Sequence, residues 1–274
     1  MTQEMCLNMF DTSEKRKRED DKLAAALGED QSASTAARYM QESHKLHTAK
    51  QAILHNISIK LESLSVAPTK VVRNLGVMVD DQLTFADHVT AVARSCRFSL
   101  FNIRKIRPYL TQHTTQLLVQ TLIISRLDYC NALLTGLPAC AVRPLQMNQN
   151  AAARLVFNQP KIAHVTPLLV ELHWLPLAAR IKFKSLMMAF RVFTGSAPIY
   201  LNRLLKPYVS ARPLRSSKER QLTRPTLRTG QLWVFSSLVP RWWNELPSTI
   251  RATETLSAFK KSLKTQLFRE YLLH

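Results

Sequence analysis

The sequence predicts a mainly α-helical fold: a helical bundle preceded by a short β-hairpin, with a disordered or loosely helical N-terminal segment. Three observations predict it. From Phe85 onward apolar residues recur every three or four positions, the period of a helix with one buried face. All 13 prolines lie beyond residue 67 and divide this part into helix-length blocks. Only 5 of the 274 residues are glycine, about 2% against a usual ~7%. So few glycines argue against Gly-rich phosphate loops, many tight hairpins or a β-sandwich.

Residues 1–52 hold a basic run, Lys15-Arg16-Lys17-Arg18, an acidic run, Glu19-Asp20-Asp21, an Ala patch and a Ser/Thr patch. No core-forming pattern joins them, so the segment reads as disordered, with helical stretches over 20–27 and 35–54. The basic run fits a nuclear import signal, but it reads more simply as a solvated charge run. Residues 53–84 hold two extended blocks. Ile57, Ile59 and Leu61 alternate with Ser58, Lys60 and Glu62; beyond Pro68 come Val71, Val72, Leu75, Val77 and Val79. The two blocks are expected to pair as one antiparallel hairpin that ends in a turn at Asp80-Asp81.

Residues 85–207 form the main helical region. Phe85, Val89, Val92, Cys96, Leu100 and Ile103 share one face, and Arg94, Arg97, Arg104 and Lys105 share a separate arc. Pro108 ends this helix. A second helix is expected from Thr111 to Leu134, stopping at Gly136-Leu137-Pro138, and a third from Pro144, in the favoured first-turn position, to Phe157. A fourth runs from Leu177 to Phe193, stops at Gly195, and carries Arg180, Lys184 and Arg191 on one stripe. Residues 208–274 are a basic, irregular stretch followed by helices near 235–246 and 256–272. The last of these places Leu256, Phe259, Leu263 and Leu267 on one face.

The net charge is +19, and it is unevenly spread. Residues 1–65 hold nine basic and ten acidic side chains, whereas residues 66–274 hold 29 basic and nine acidic. Between Asp128 and Glu219 the only acid is Glu171. A solvated surface normally mixes both signs, so this bias points to a polyanionic partner, the backbone of RNA or DNA. It excludes an acidic mimic.

No apolar run approaches the ~18 residues needed to span a bilayer. The stretch Leu117–Leu134 is broken by Gln120, Arg126 and Asp128. Cys6, Cys96, Cys130 and Cys140 show no paired spacing, and the first thirty residues are polar, so the thiols are expected to be reduced and the protein intracellular, nuclear or cytoplasmic. No membrane partner, small-molecule substrate or cofactor is expected.

Asp80-Asp81 is the one pair that resembles a polymerase metal site. The residue two before it is Met78 rather than an aromatic, and no upstream apolar strand ends in Asp. A turn in which Asp caps the helix start fits better. Cys130, Cys140, His164 and His173 are too widely spaced for zinc. There is no P-loop, dinucleotide-binding fingerprint or nucleophile elbow. Arg241-Trp242-Trp243 offers a base-stacking element, although a helical Trp pair is more often core on one side and rim on the other.

Several ordered blocks carry a resemblance. They include Val71-Val72-Arg73-Asn74-Leu75-Gly76-Val77, Ser125-Arg126-Leu127-Asp128-Tyr129-Cys130-Asn131 and Gln149-Asn150-Ala151-Ala152-Ala153-Arg154. Leu172-His173-Trp174-Leu175-Pro176, Ala197-Pro198-Ile199-Tyr200-Leu201 and Trp243-Asn244-Glu245-Leu246-Pro247 follow in order. Over residues 57–274 the chain resembles the C-terminal third of the reverse transcriptase polyprotein of LINE-type (non-LTR) retrotransposons of the Jockey-like group. The resemblance implies that the Leu-Gly-Val hairpin is a primer-grip element. It implies that the helices are a polymerase thumb with a C-terminal extension. The catalytic palm, fingers and endonuclease have no counterpart here.

The expected function is therefore that of a non-catalytic, electrostatic module binding template and primer non-specifically. Its expected contacts are Arg94, Arg97, Arg104, Lys105, Arg180, Lys184, Arg191 and Arg241, with no metal and no catalytic residue. The alternatives are a truncated form of an active RNA-directed DNA polymerase and a co-opted cellular interaction protein.

Overall fold

The computed structural model describes residues 59–61, 64–66, 69–208, 220–225 and 235–273. The segment 1–52 and most of the basic stretch after Tyr208 lie outside the described residues. The chain divides into two units, one ending at Phe85 and the other beginning at Ala86. The described residues are mainly helical, with short antiparallel strands ahead of the helices.

The first unit contains β1 (Ile59–Leu61), β2 (Leu64–Val66), β3 (Val71–Asn74) and β4 (Val77–Asp80). The expected pairing of the two extended blocks is corrected here: each block folds back on itself. β1 pairs with β2, Ile59 opposite Val66, and β3 pairs with β4, Val71 opposite Asp80. The reason lies at Leu75-Gly76, with φ of 45° and 82°. Two consecutive positive φ values are what a two-residue type I′ hairpin turn requires, and its twist matches that of the strands. Closing so short a loop also costs less chain entropy than pairing across Pro68.

Asp80 ends β4 and orders the loop that follows. One carboxylate oxygen accepts from the amides of Gln82 (3.1 Å) and Thr84 (2.8 Å). The other accepts from the Thr84 hydroxyl (3.2 Å) and the Phe85 amide (2.6 Å). These bonds hold Leu83 and Phe85 in the left-handed region, at φ of 56° and 55°, where a bulky side chain is rarely stable unaided. Asp81 is exposed. Among the described residues no three His, Cys, Asp or Glu side chains are grouped to hold a metal ion. Asp80→Ala should cost this loop about 1–3 kcal/mol and strip amide-exchange protection from Thr84 and Phe85. Asp81→Ala should leave both amides unchanged, and hydrogen exchange read by NMR separates the two outcomes.

The second unit opens with α1 (Ala86–Ile106), which buries Val89, Ala93, Cys96 and Ile103 at helical spacing. A 3₁₀ turn at Arg107–Tyr109, built around Pro108, ends it. α2 (Gln112–Val119) starts where Thr111 accepts from the Thr114 amide at 3.1 Å. The expected continuous helix to Leu134 is broken. Gln120–Ile124 form a π turn, α3 (Ser125–Asp128) follows, and Cys130 then turns left-handed at φ 51° before a 3₁₀ turn at Asn131–Leu134. The Thr121 and Ser125 hydroxyls donate back to carbonyls one turn earlier, which loosens the backbone ladder there.

α4 (Ala139–Val156) also departs from expectation. It begins after Pro138, so Pro144 stands inside the helix and removes the amide that would bond the Cys140 carbonyl. Arg107 secures the other end, donating to the carbonyls of Leu155 (3.1 Å) and Val156 (3.0 Å). α5 (Thr166–Glu171) and α7 (Ile199–Leu204) are short helices that follow Val165 and Pro198. α6 (Leu177–Phe193) has the expected bounds and stops ahead of Gly195, at φ 68°. α8 (Phe235–Glu245), α9 (Ser248–Arg251) and α10 (Leu256–Leu272) complete the chain.

α1 packs on α4 and α2, and α6 packs on α8 and α10. The second core is aromatic. Phe190 stacks on Phe259 with centroids 4.4 Å apart, and Phe193 stacks on Trp243 at 4.9 Å. Phe259, Leu263 and Leu267, three of the residues placed on one face of the last helix, are fully buried. Part of the basic stretch joins this core. Leu222 is buried, and Asn244 brackets it, accepting from its amide (2.9 Å) and donating to its carbonyl (2.8 Å). One core therefore spans α6 and the helices beyond residue 207. No helix among the described residues is long and apolar enough to cross a membrane.

His88, in the first turn of α1, is buried, and burial lowers its pKa below the ordinary 6.5. Below that pH the unfolded chain takes up a proton that the folded chain resists, so folding stability falls as pH drops through 6.5. Urea midpoints measured from pH 8 to 5.5 should fall less steeply for His88→Gln than for the parent.

Candidate nucleic-acid interface

Arg94, Arg97, Arg104 and Lys105 are all exposed on α1, on the side away from its buried residues. The only acid on this helix is Asp87, in its first turn, and α4 has none. Acid-free helix surfaces leave the cations without intrahelical neutralisation. Lys105 Nζ lies 4.5 Å from the centre of the Phe101 ring, a cation–π contact on the surface.

A groove of about 630 Å³ lies against α1 and α4. α1 supplies Arg97, Leu100, Phe101 and Arg104; α4 supplies Cys140, Arg143, Pro144, Met147, Ala151 and Leu155. Asn148 sets the spacing of the two helices, its buried side-chain amide donating to the Ala93 carbonyl at 3.0 Å. Burial pushes the Cys96 thiol up to about 11, opposed by the nearby Arg126, whose guanidinium donates to Ser95 Oγ. Cys96 is thus an unreactive core thiol, whereas Cys140, in the groove, is exposed.

Arg143 and Phe101 were not among the expected contacts. The signal was present in the sequence: Phe98 and Phe101 fall off the apolar face of α1 and sit between its cations.

The expected stripe on α6 does not form a matching surface. Arg180 is buried. Its Nη1 donates to Asp128 Oδ2 at 2.8 Å, and its Nε donates to the Leu175 carbonyl at 2.8 Å. The same carbonyl accepts from Gln149 Nε2 at 2.8 Å, and Asn131 Nδ2 reaches the other oxygen of Asp128 at 3.4 Å. This corrects the expected role of Arg180: it is a joint between α3, α4 and α6, closed to a phosphate. A cation flanked by Ala179, Ile181 and Phe183 is drawn inward because the helix is buried nearly all round. Lys184 and Arg191 are half-buried on the same helix and engaged.

Arg241 is exposed, and its Nε donates to Glu245 Oε1 at 2.9 Å, a pair one helical turn apart. Trp243 is fully buried, and its Nε1 donates to the Arg220 carbonyl at 2.7 Å, which removes it from any base-stacking role. Trp242 is half-buried. The eight expected contacts thus separate into four exposed cations together on α1, three on α6 that are buried or engaged, and one distant surface pair.

Removing either partner of the buried ion pair leaves a desolvated charge, which costs about 3–5 kcal/mol. Asp128→Ala and Arg180→Ala should each lower the urea unfolding free energy by an amount of that order. The double replacement Asp128→Leu/Arg180→Met should recover most of the loss. No family model matches this chain, and no curated protein or solved structure does so either.

Proposed function

We propose that this chain is a helical nucleic-acid-binding module that acts through α1 and its groove with α4, without catalysing polymerisation. The observation that carries the reading is the cluster of exposed Arg94, Arg97, Arg104 and Lys105 on a helix with a single acid, in its first turn. Arg143 faces the same groove. A surface of one sign raises the local concentration of a polyanion and is worth most at low salt.

The proposed origin is the C-terminal part of a LINE-type reverse transcriptase. Its support is the order of the sequence blocks, together with the way several of them meet. Asp128, Gln149 and Leu175 come from separate blocks and, with Arg180, close one buried joint. The non-catalytic reading rests on Asp80, whose carboxylate oxygens are both engaged by its own loop.

Binding through this surface should depend strongly on salt and little on sequence. Each phosphate contact contributes a slope of about −0.9 in log K against log salt for duplex DNA and about −0.7 for a single strand. Replacing Arg94, Arg97 and Arg104 together by Gln should reduce the slope by roughly two to three units while the melting temperature holds. A salt-insensitive interaction, or an unchanged slope in the triple variant, would show the cations to be a solvated surface only.

A further inference from the structure

We infer that the groove against α1 and α4 takes a single-stranded nucleic acid, its bases lying on the apolar floor and the Phe101 ring and its phosphates on Arg97, Arg104 and Arg143. The inference rests on the nucleic-acid reading above and deepens it by naming the form of the strand.

The groove is not merely cationic. Leu100, Phe101, Met147 and Pro144 line it together with the three arginines. Two of the lining side chains stand in solvent, Phe101 57% exposed and Met147 59%, and Phe98, also on α1, is 67% exposed. Grouped exposure of this kind marks an interaction site. The order along α1 is Arg94, Phe98, Phe101, Lys105, spaced four, three and four residues apart, with Arg97 and Arg104 beside them. Phe101 therefore has a cation about one turn to either side, Arg97 before it and Arg104 and Lys105 after it, and the stripe runs about 16 Å at ~1.5 Å per residue.

The occupant must be anionic and must also present planar apolar groups. A duplex satisfies the arginines but keeps its bases stacked inside, and leaves the floor bare. A single strand presents phosphates and free base faces together, which is how sequence-tolerant single-strand sites work. An acidic amphipathic helix is the other anionic candidate. Such a helix needs an unbroken apolar ridge, and here Arg97, Arg104 and Arg143 stand among the apolar residues that line the groove.

The test uses the full chain, with labelled mixed-sequence single-stranded RNA and DNA of about twelve nucleotides and duplexes of the same length, read by fluorescence anisotropy over a salt series. Phe101→Ala should weaken single-strand binding on the order of tenfold, leave the salt slope unchanged and leave duplex binding unaltered. Phe101→Trp should restore it. Arg97→Gln/Arg104→Gln/Arg143→Gln should weaken both forms and lower the slope. In a Cys6→Ser/Cys130→Ser background, saturating single strand should slow alkylation of Cys140 more than duplex at the same occupancy does.

Equal losses on duplex and single strand, unaltered Cys140 alkylation, or competition by a poly-glutamate peptide as effective as that of a single strand of equal charge would each overturn the inference. The broader nucleic-acid reading would survive the first two outcomes. Absence of salt-dependent binding to any nucleic acid would remove both.

Discussion

The second unit depends on how one guanidinium is housed. Taking the Arg180 cation out of water costs several kcal/mol unless it is paired and hydrogen-bonded at good geometry. Here Asp128 takes one nitrogen and the Leu175 carbonyl another, both at 2.8 Å. That carbonyl is also fixed by Gln149 from α4, while Gln146, one turn earlier, accepts from the Leu177 amide at the start of α6 at 2.7 Å. The buried Thr135 and Ser185 hydroxyls pair at 2.8 Å beside this joint. Apolar burial is non-directional and tolerates sliding; a hydrogen-bonded charge does not. The angle at which α6 leaves α4, and hence the placement of everything packed on α6, follows from this joint.

The same accounting explains the surface. The second unit holds few acids, and three of them are committed to specific cations: Asp128 to Arg180, Glu270 to Lys182 and Glu245 to Arg241. None of these pairs lies on α1 or α4. The cations of the two helices that flank the groove are therefore left without an acid from any of these three pairs. Arg107 and Arg154 show that cations are not excluded from structural duty there, since both donate to backbone carbonyls. Those left over are the ones that reach solvent.

How much of this was legible in the sequence varied with the kind of signal. α6 was legible to the residue, because Pro176 and Gly195 bracket a strongly apolar run. The buried face of α1 was legible from Val89, Cys96 and Ile103. Pro144 misled, since a proline marks a helix start more often than it survives inside one, and only Pro138 immediately before Ala139 hinted at the earlier start. The strand pairing was misread because Val71 to Val79 were taken as one extended block, when Leu75-Gly76 closes a turn within it. The role of Arg180 was not legible at all. Its partner lies 52 residues away, and at 100° per residue a buried cation and a surface cation occupy the same stripe. The groove was half legible: Arg97 and Arg104 were evident, but Arg143 was not, and Phe101 counts as an ordinary apolar residue until α4 is set opposite it.

The aromatic core also constrains how the chain is made. α6 exposes Phe190 until Phe259, its stacking partner at 4.4 Å, has been synthesised, together with the rest of α10. At a ribosomal rate of ~5–20 residues per second, the intervening stretch takes on the order of 4–14 s. Through much of that interval α6, a helix buried nearly all round in the folded unit, lacks the partners that cover it. A chain that ends anywhere before α10 therefore leaves the apolar faces of α6 uncovered and prone to association.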